Sequence, residues 1–189
     1  MIYDICTDNY SAFQIFEKNK LKPRAYFIPF QDRKSSETVS LCDERYKSNL
    51  VKVLNGKWDF KYYPKFSDMP KRFDTSIVDF DEVNVPSMWQ YTGYEKPYYI
   101  NQNYPFGRKP PKIPTDDPGL YKTIRNGKWT PLTVDNIYNS VGVYRKKIEI
   151  FDTEKIFIIS FLGCSSCLEL YVNGSFHGYS EGSHNPAEF

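Results

Sequence analysis

Leu168-Glu-Leu-Tyr-Val-Asn-Gly-Ser-Phe-His-Gly-Tyr179 decides the fold class. Leu168, Leu170 and Val172 alternate with Glu169 and Tyr171, the period of a half-buried strand. Asn173-Gly174 follows, the dipeptide best suited to a two-residue hairpin because both positions accept positive φ. Phe176 to Tyr179 is the returning strand. Upstream, Ile156-Phe-Ile-Ile-Ser-Phe-Leu162 is an apolar run closed by Gly163, which predicts a strand covered on both faces. Tyr144, Ile148 and Ile150 share one parity of a further strand. Trp58, Phe60 and Tyr62 alternate with Lys57, Asp59 and Lys61, another half-buried strand.

Between these strands the text is connective. Lys65 to Phe73 predicts a loop or short helix, and Val83 to Trp89 a short strand stopped at Pro86, which has no N–H for a ladder. Six prolines between Pro97 and Pro118 exclude a helix or central strand there and leave an ordered or a mobile loop open. Residues 1–48 are polar and weakly periodic and predict an extended arm with at most short helical turns, ahead of a sandwich domain over 49–189. The 16 Tyr, 14 Phe and 3 Trp suit a pleated surface, so the expected class is all-β, a β-sandwich of which the jelly roll is one form.

Composition excludes several functions. The 25 basic and 23 acidic residues leave a net charge of +2 with no block of like charge, which disfavours nucleic acid and membrane partners. Met1-Ile-Tyr-Asp-Ile-Cys-Thr-Asp8 carries no secretory pattern, so a cytoplasmic location is expected. Cys6, Cys42, Cys164 and Cys167 are expected to be free thiols. Cys164-Ser-Ser-Cys167 with His177 and His184 lacks the His spacing of a zinc finger, and structural, buried cysteines are expected in its place. Asn173-Gly-Ser175 matches a glycosylation sequon, but the hairpin accounts for it. Glycoside hydrolysis needs paired carboxylates, yet Asp79, Asp81, Glu82, Asp116 and Asp117 lie in polar text that predicts solvated surface groups.

Leu54-Asn-Gly-Lys-Trp-Asp-Phe60, Val85-Pro-Ser-Met-Trp-Gln90, Tyr98-Tyr-Ile-Asn-Gln-Asn-Tyr-Pro-Phe106, Pro110-Pro-Lys-Ile-Pro114 and Tyr171 to Ser180 running on to Pro186-Ala-Glu-Phe189 stand in a telling order. Across residues 24–189 this order resembles the start of β-galactosidases of glycoside hydrolase family 2. The resemblance implies a galactose-binding-like jelly roll that precedes a catalytic barrel, with the two catalytic glutamates outside this chain. It implies an enzyme that hydrolyses terminal non-reducing β-D-galactose residues, to which this chain lends a substrate wall and assembly contacts. Asn101 falls on the family position that contacts the galactosyl unit, a task an amide performs by donating and accepting at once. Expected partners are the β-galactoside, the remainder of the polypeptide and further copies in a homo-oligomer.

The family commonly uses magnesium and sodium in its full-length enzymes, but none is expected in this chain. Gly182 stands where the family often has a sodium-binding aspartate, and Glu181 beside it should face the other way on an extended backbone. Residues 119–140, with Trp129, look like an insertion relative to the family. Pro-Ala-Glu-Phe189 stops in mid-motif, so the jelly roll is expected to be truncated at its C-terminal end. The rival reading is a free-standing carbohydrate-binding β-sandwich without hydrolase activity.

Overall fold

The computed structural model describes residues 1–5, 9, 12, 14–40, 42–95, 97, 122–125, 128–131, 140–150, 152 and 154–189. Strands dominate it. β1 (Ile2–Asp4) and β2 (Glu17–Lys18) lie in the arm, and β3 (Gly56–Tyr63), β4 (Arg72–Asp74) and β5 (Asp81–Val85) follow. β6 (Lys122–Arg125), β7 (Lys128–Pro131) and β8 (Val141–Arg145) come next, then β9 (Ser160–Phe161), β10 (Cys167–Val172), β11 (Ser175–Glu181) and β12 (Ala187–Glu188). The one α-helix among the described residues, α1 (Arg33–Glu37), has five residues, and Phe66–Asp68 forms a single 3-10 turn. The protein is all-β.

The alternation at Trp58, Phe60 and Tyr62 builds a three-stranded sheet in the order β5-β3-β8. Phe60 sits opposite Asp81 on one side and Tyr144 on the other, and it is fully buried. Trp89 and Tyr94 close over it, with ring centroids 6.3 and 4.9 Å from Phe60. Gly142, opposite Tyr62, makes this possible: a Cβ there would lie 2.7 Å from the Trp89 ring and 2.8 Å from the Phe60 ring. β5 ends at Val85, directly before Pro86, as the missing N–H requires.

The hairpin forms as its sequence dictates. β10 and β11 pair antiparallel across Asn173 (φ 49°) and Gly174 (φ 91°), with a register irregularity between Leu170 and Tyr171. Gly174→Ala is expected to cost about 1 kcal/mol, because an L-residue resists that φ and its Cβ would press to 3.4 Å from the Ile2 carbonyl oxygen. Urea denaturation checks it; an unchanged midpoint would mean the turn does not hold the hairpin.

Two expectations from the apolar pattern fail. Only Ser160–Phe161 of the 156–162 run is strand, pairing with β12 through Phe161 opposite Ala187, and Ile159 extends the pairing to Phe189 by two backbone bonds of 2.9 and 3.0 Å. Its apolar side chains are not covered on both faces: Ile156 is 94% exposed, and Phe157, Ile158 and Leu162 are about half exposed. Likewise β8 stops at Arg145, so Ile148 and Ile150 lie beyond it and are exposed. A continuous apolar run signals a wish for cover on two faces, but it does not name the elements that would supply it.

Residues of the arm are woven into the sheets. β1 pairs with β4, and β2 joins the β10-β11 sheet through Lys18 opposite Tyr179. Asn9 is fully buried and donates from Nδ2 to Glu169 at 3.0 Å, while its Oδ1 has no partner among the described residues. The Glu169 carboxyl is raised above the ordinary carboxylate range by burial, offset by bonds from Asn9 and the Tyr171 hydroxyl. Arg24 grips Glu188 with a two-pronged fork, Nε to Oε2 at 2.7 Å and Nη2 to Oε1 at 2.8 Å. Within residues 119–140, β6 and β7 form a hairpin paired from Lys122–Pro131 to Arg125–Lys128.

Candidate functional site

The family resemblance singles out two segments, the approach to Asn101 and the turn around Gly182. Asn101 itself lies outside the described residues, as do Asp116 and Asp117. The chain leading toward it is held firmly. Met88 to Tyr94 coils through bonds from Tyr91 N to Met88 O (3.0 Å) and from Thr92 N and Tyr94 N to Trp89 O (both 3.2 Å). Glu95 then gathers three donors: Trp89 Nε1 at 2.7 Å, Gln90 Nε2 at 2.9 Å and the Ser140 hydroxyl at 3.3 Å. A carboxylate with several lone pairs can accept all three, and it ties the turn to the start of β8. Nothing in the sequence singled out Glu95; an acid five residues after a Gln and six after a Trp was the available signal. Burial, followed by its bond to Asp81, raises the Tyr94 phenol above its ordinary pKa.

β11 positions the second segment. Tyr179 is fully buried and donates to Glu181 Oε1 at 2.6 Å; burial first, then this carboxylate, raises its phenol far above the usual range. Glu181 is therefore committed to the sheet, and its backbone N–H donates to Phe16 O at 3.0 Å. The turn beyond it closes with Asn185 N donating to Gly182 O at 3.1 Å. Gly182 N donates to Ser166 O at 3.2 Å and the Ser183 hydroxyl to Ser165 Oγ at 3.2 Å, which fastens the turn to the Cys164–Cys167 loop. Gly182 adopts φ +99°, open to glycine and strained for other residues.

The remaining candidates resolve as surface chemistry. Asp79, Asp81 and Glu82 are exposed, with Glu82 paired to Lys57 at 2.6 Å. Cys42, Cys164 and Cys167 are free thiols, while Cys6 lies outside the described residues. Cys164 and Cys167 are not the buried pair expected: Cys167 is exposed and Cys164 half-buried, because they flank a surface loop that precedes β10. Cys164 Sγ donates to the Cys167 carbonyl at 3.8 Å. His177 and His184 are exposed, and among the described residues no group of three or more His, Cys, Asp or Glu stands together as a metal cluster would. A shallow groove of about 260 Å³ beside Trp58 is lined by ion pairs, Lys57 with Glu82 and Arg145 with Asp59.

The described residues thus form an all-β unit that displays two polar turns. Comparison with known proteins makes this specific. The family described as "Glycosyl hydrolases family 2, sugar binding domain" matches residues 51–127. The chain is similar to the β-galactosidase of Actinobacillus pleuropneumoniae, 33% identical over 171 residues, which is 90% of this chain and 14% of that protein. It is 32% identical to the β-galactosidase of Priestia megaterium over 183 residues, 93% of this chain and 16% of that protein. A third, from Vibrio vulnificus, is 36% identical over 140 residues, 72% of this chain and 12% of that protein. The chain thus spans about one seventh of the length of these relatives. It carries the sugar-binding domain of the N-terminal region of family 2 β-galactosidases.

Proposed function

We propose that the chain serves a β-galactosidase that releases terminal non-reducing β-D-galactose residues, as a jelly-roll domain that forms one wall of the substrate site. The observation that supports this most is a similarity to β-galactosidases that runs through 90% or more of the chain. In this reading the catalytic glutamates reside in the rest of the polypeptide, with which the chain makes assembly contacts in a cytoplasmic homo-oligomer. Magnesium and sodium belong to the full-length enzyme. No helix among the described residues is long and apolar enough to cross a membrane.

Asn101 is the galactosyl contact in this proposal, a side chain that donates and accepts to neighbouring hydroxyls. With the chain joined to the rest of the enzyme, Asn101→Ala is expected to lower kcat/KM roughly 3- to 10-fold, the equivalent of losing one hydrogen bond of about 1 kcal/mol. Kinetics equal to wild type would remove Asn101 from the site. The chain alone is expected to leave a chromogenic β-galactoside intact, since in this reading the paired carboxylates that hydrolysis requires lie in the rest of the polypeptide. Turnover by pure chain, abolished by substituting one of its own carboxylates, would overturn that assignment and the division of labour it implies.

A further inference from the structure

Cys164-Ser-Ser-Cys167 holds two thiols that the galactoside reading does not use. β9 ends at Phe161 and β10 begins at Cys167, so the first cysteine lies in the loop between them and the second opens a strand. The chain bends at Ser165 and Ser166 and carries Cys164 back toward its partner. Cys164 Sγ stands 3.8 Å from the Cys167 carbonyl oxygen, an atom two bonds from the Cα that bears the second thiol. The two thiols also feel each other. Desolvation by the surrounding protein raises the Cys167 thiol to about 11, and the charge of Cys164 is the next cause, ahead of Glu181 and Glu169 and against a lowering bond from the Tyr179 hydroxyl. Desolvation raises the Cys164 thiol as well. Cys167 is exposed and Cys164 half-buried, so a small reagent can reach the pair.

We propose that Cys164 and Cys167 form a reversible intramolecular disulfide by exchange with a low-molecular-weight disulfide such as oxidised glutathione. One protein thiolate attacks the small disulfide, breaks its S–S bond and expels one small thiolate, leaving a mixed disulfide. The second protein thiolate attacks the protein sulfur of that mixed disulfide and expels the other small thiolate. The protein pair is oxidised by two electrons, the small disulfide is reduced by two, and the two protein thiol protons pass to the two released thiolates. Closure also reaches the neighbouring turn. The two residues between the cysteines hold that turn, Ser166 O accepting from Gly182 N and Ser165 Oγ from the Ser183 hydroxyl, both at 3.2 Å. Closing the ring removes the Cys164 S–H from the Cys167 carbonyl and fixes the backbone on which those bonds depend. The inference stands apart from the galactoside reading, and neither needs the other.

The test uses the full chain, incubated with oxidised glutathione at mildly alkaline pH, where thiols with raised pKa supply enough thiolate. Remaining thiols are alkylated and the peptides mapped by mass spectrometry. The peptide carrying Cys164 and Cys167 is expected to lose two hydrogen atoms and to take up neither alkyl group nor glutathione, while the exposed Cys42 acquires glutathione. Dithiothreitol should restore both alkylation sites. In Cys164→Ser, Cys167 has no internal partner and should retain glutathione as a mixed disulfide. In two-dimensional NMR the Gly182 and Ser183 backbone amides should shift on oxidation and return on reduction. A wild-type chain whose two thiols stay open to alkylation, or each end capped by glutathione, would overturn the inference, as would a link from either one to Cys42. Closure with both amides unmoved would overturn the coupling to the turn.

Discussion

Arg24→Ala is expected to destabilise the protein by about 2–3 kcal/mol. Glu188 is the reason: its side chain is only 10% exposed and its two oxygens take both prongs of the Arg24 guanidinium, with the Ser160 hydroxyl on Oε1 at 2.8 Å. Removing the arginine leaves a nearly buried carboxylate with one neutral donor, and stranding a charge in this way costs 3–5 kcal/mol when both partners are fully buried. Arg24 is 35% exposed, so water can soften the loss and the lower figure applies. The substitution also removes the guanidinium from the Phe27 ring, 4.4 Å away. Thermal unfolding reads the effect at about 2–4 °C per kcal/mol for a chain of this size. Adding Glu188→Gln to Arg24→Ala should recover part of it, because the stranded charge is gone. A single variant within 0.5 kcal/mol of wild type would show that the arm is not fastened through this pair.

Gly178→Ala should follow closely, at about 2–3 kcal/mol. Gly178 is buried opposite Leu170 in the central hairpin, and a Cβ there would fall 2.3 and 2.4 Å from the Phe189 ring and 3.0 Å from the Lys18 carbonyl oxygen. Three segments meet at this point: β11, the arm strand β2 and the residue after β12. Lys18 belongs to a paired strand and cannot retreat without breaking its bonds to β11. Phe189 is held by its backbone bonds to Ile159 and by packing 6.3 Å from Phe161. Overpacking a site with fixed walls costs 1–3 kcal/mol, and here both walls are fixed. Equilibrium urea unfolding measures it, and Gly163→Ala serves as a control because its added Cβ would meet only the Ser183 carbonyl oxygen, at 3.3 Å. Equal midpoints for the two variants would contradict the packing argument.

Both effects explain why the sequence revealed some parts of the molecule and hid others. Local chemistry was legible. Asn173-Gly174 fixes its own hairpin, Pro86 ends its own strand, and the period at Trp58, Phe60 and Tyr62 places Phe60 in the core. Contacts between residues far apart in the chain were not. Arg24 and Glu188 are separated by 164 positions, and neither carries a mark that names the other. Strands β1 and β2 have three and two residues, too short for a period to register, and they exist because β4 and β11 offer edges to pair with. Gly142 and Gly178 read as strand weakeners until the rings of Trp89, Phe60 and Phe189 are seen against them.

The same division holds for the site. Resemblance singled out Asn101 and Gly182, but the geometry around 182 depends on backbone dihedrals and on Asn185, three residues away across a turn. Glu95 emerges only when its three donors are brought together from Trp89, Gln90 and Ser140.

A domain exchange tests the central claim most directly. In it, this chain replaces the matching N-terminal stretch of the Priestia megaterium β-galactosidase, to which it is 32% identical over 183 residues. If the chain is the sugar-binding wall of such an enzyme, the folded and assembled hybrid should hydrolyse a chromogenic β-galactoside in preference to the matching β-glucoside. A hybrid that folds and assembles as the parent does, yet hydrolyses neither substrate, would contradict the account.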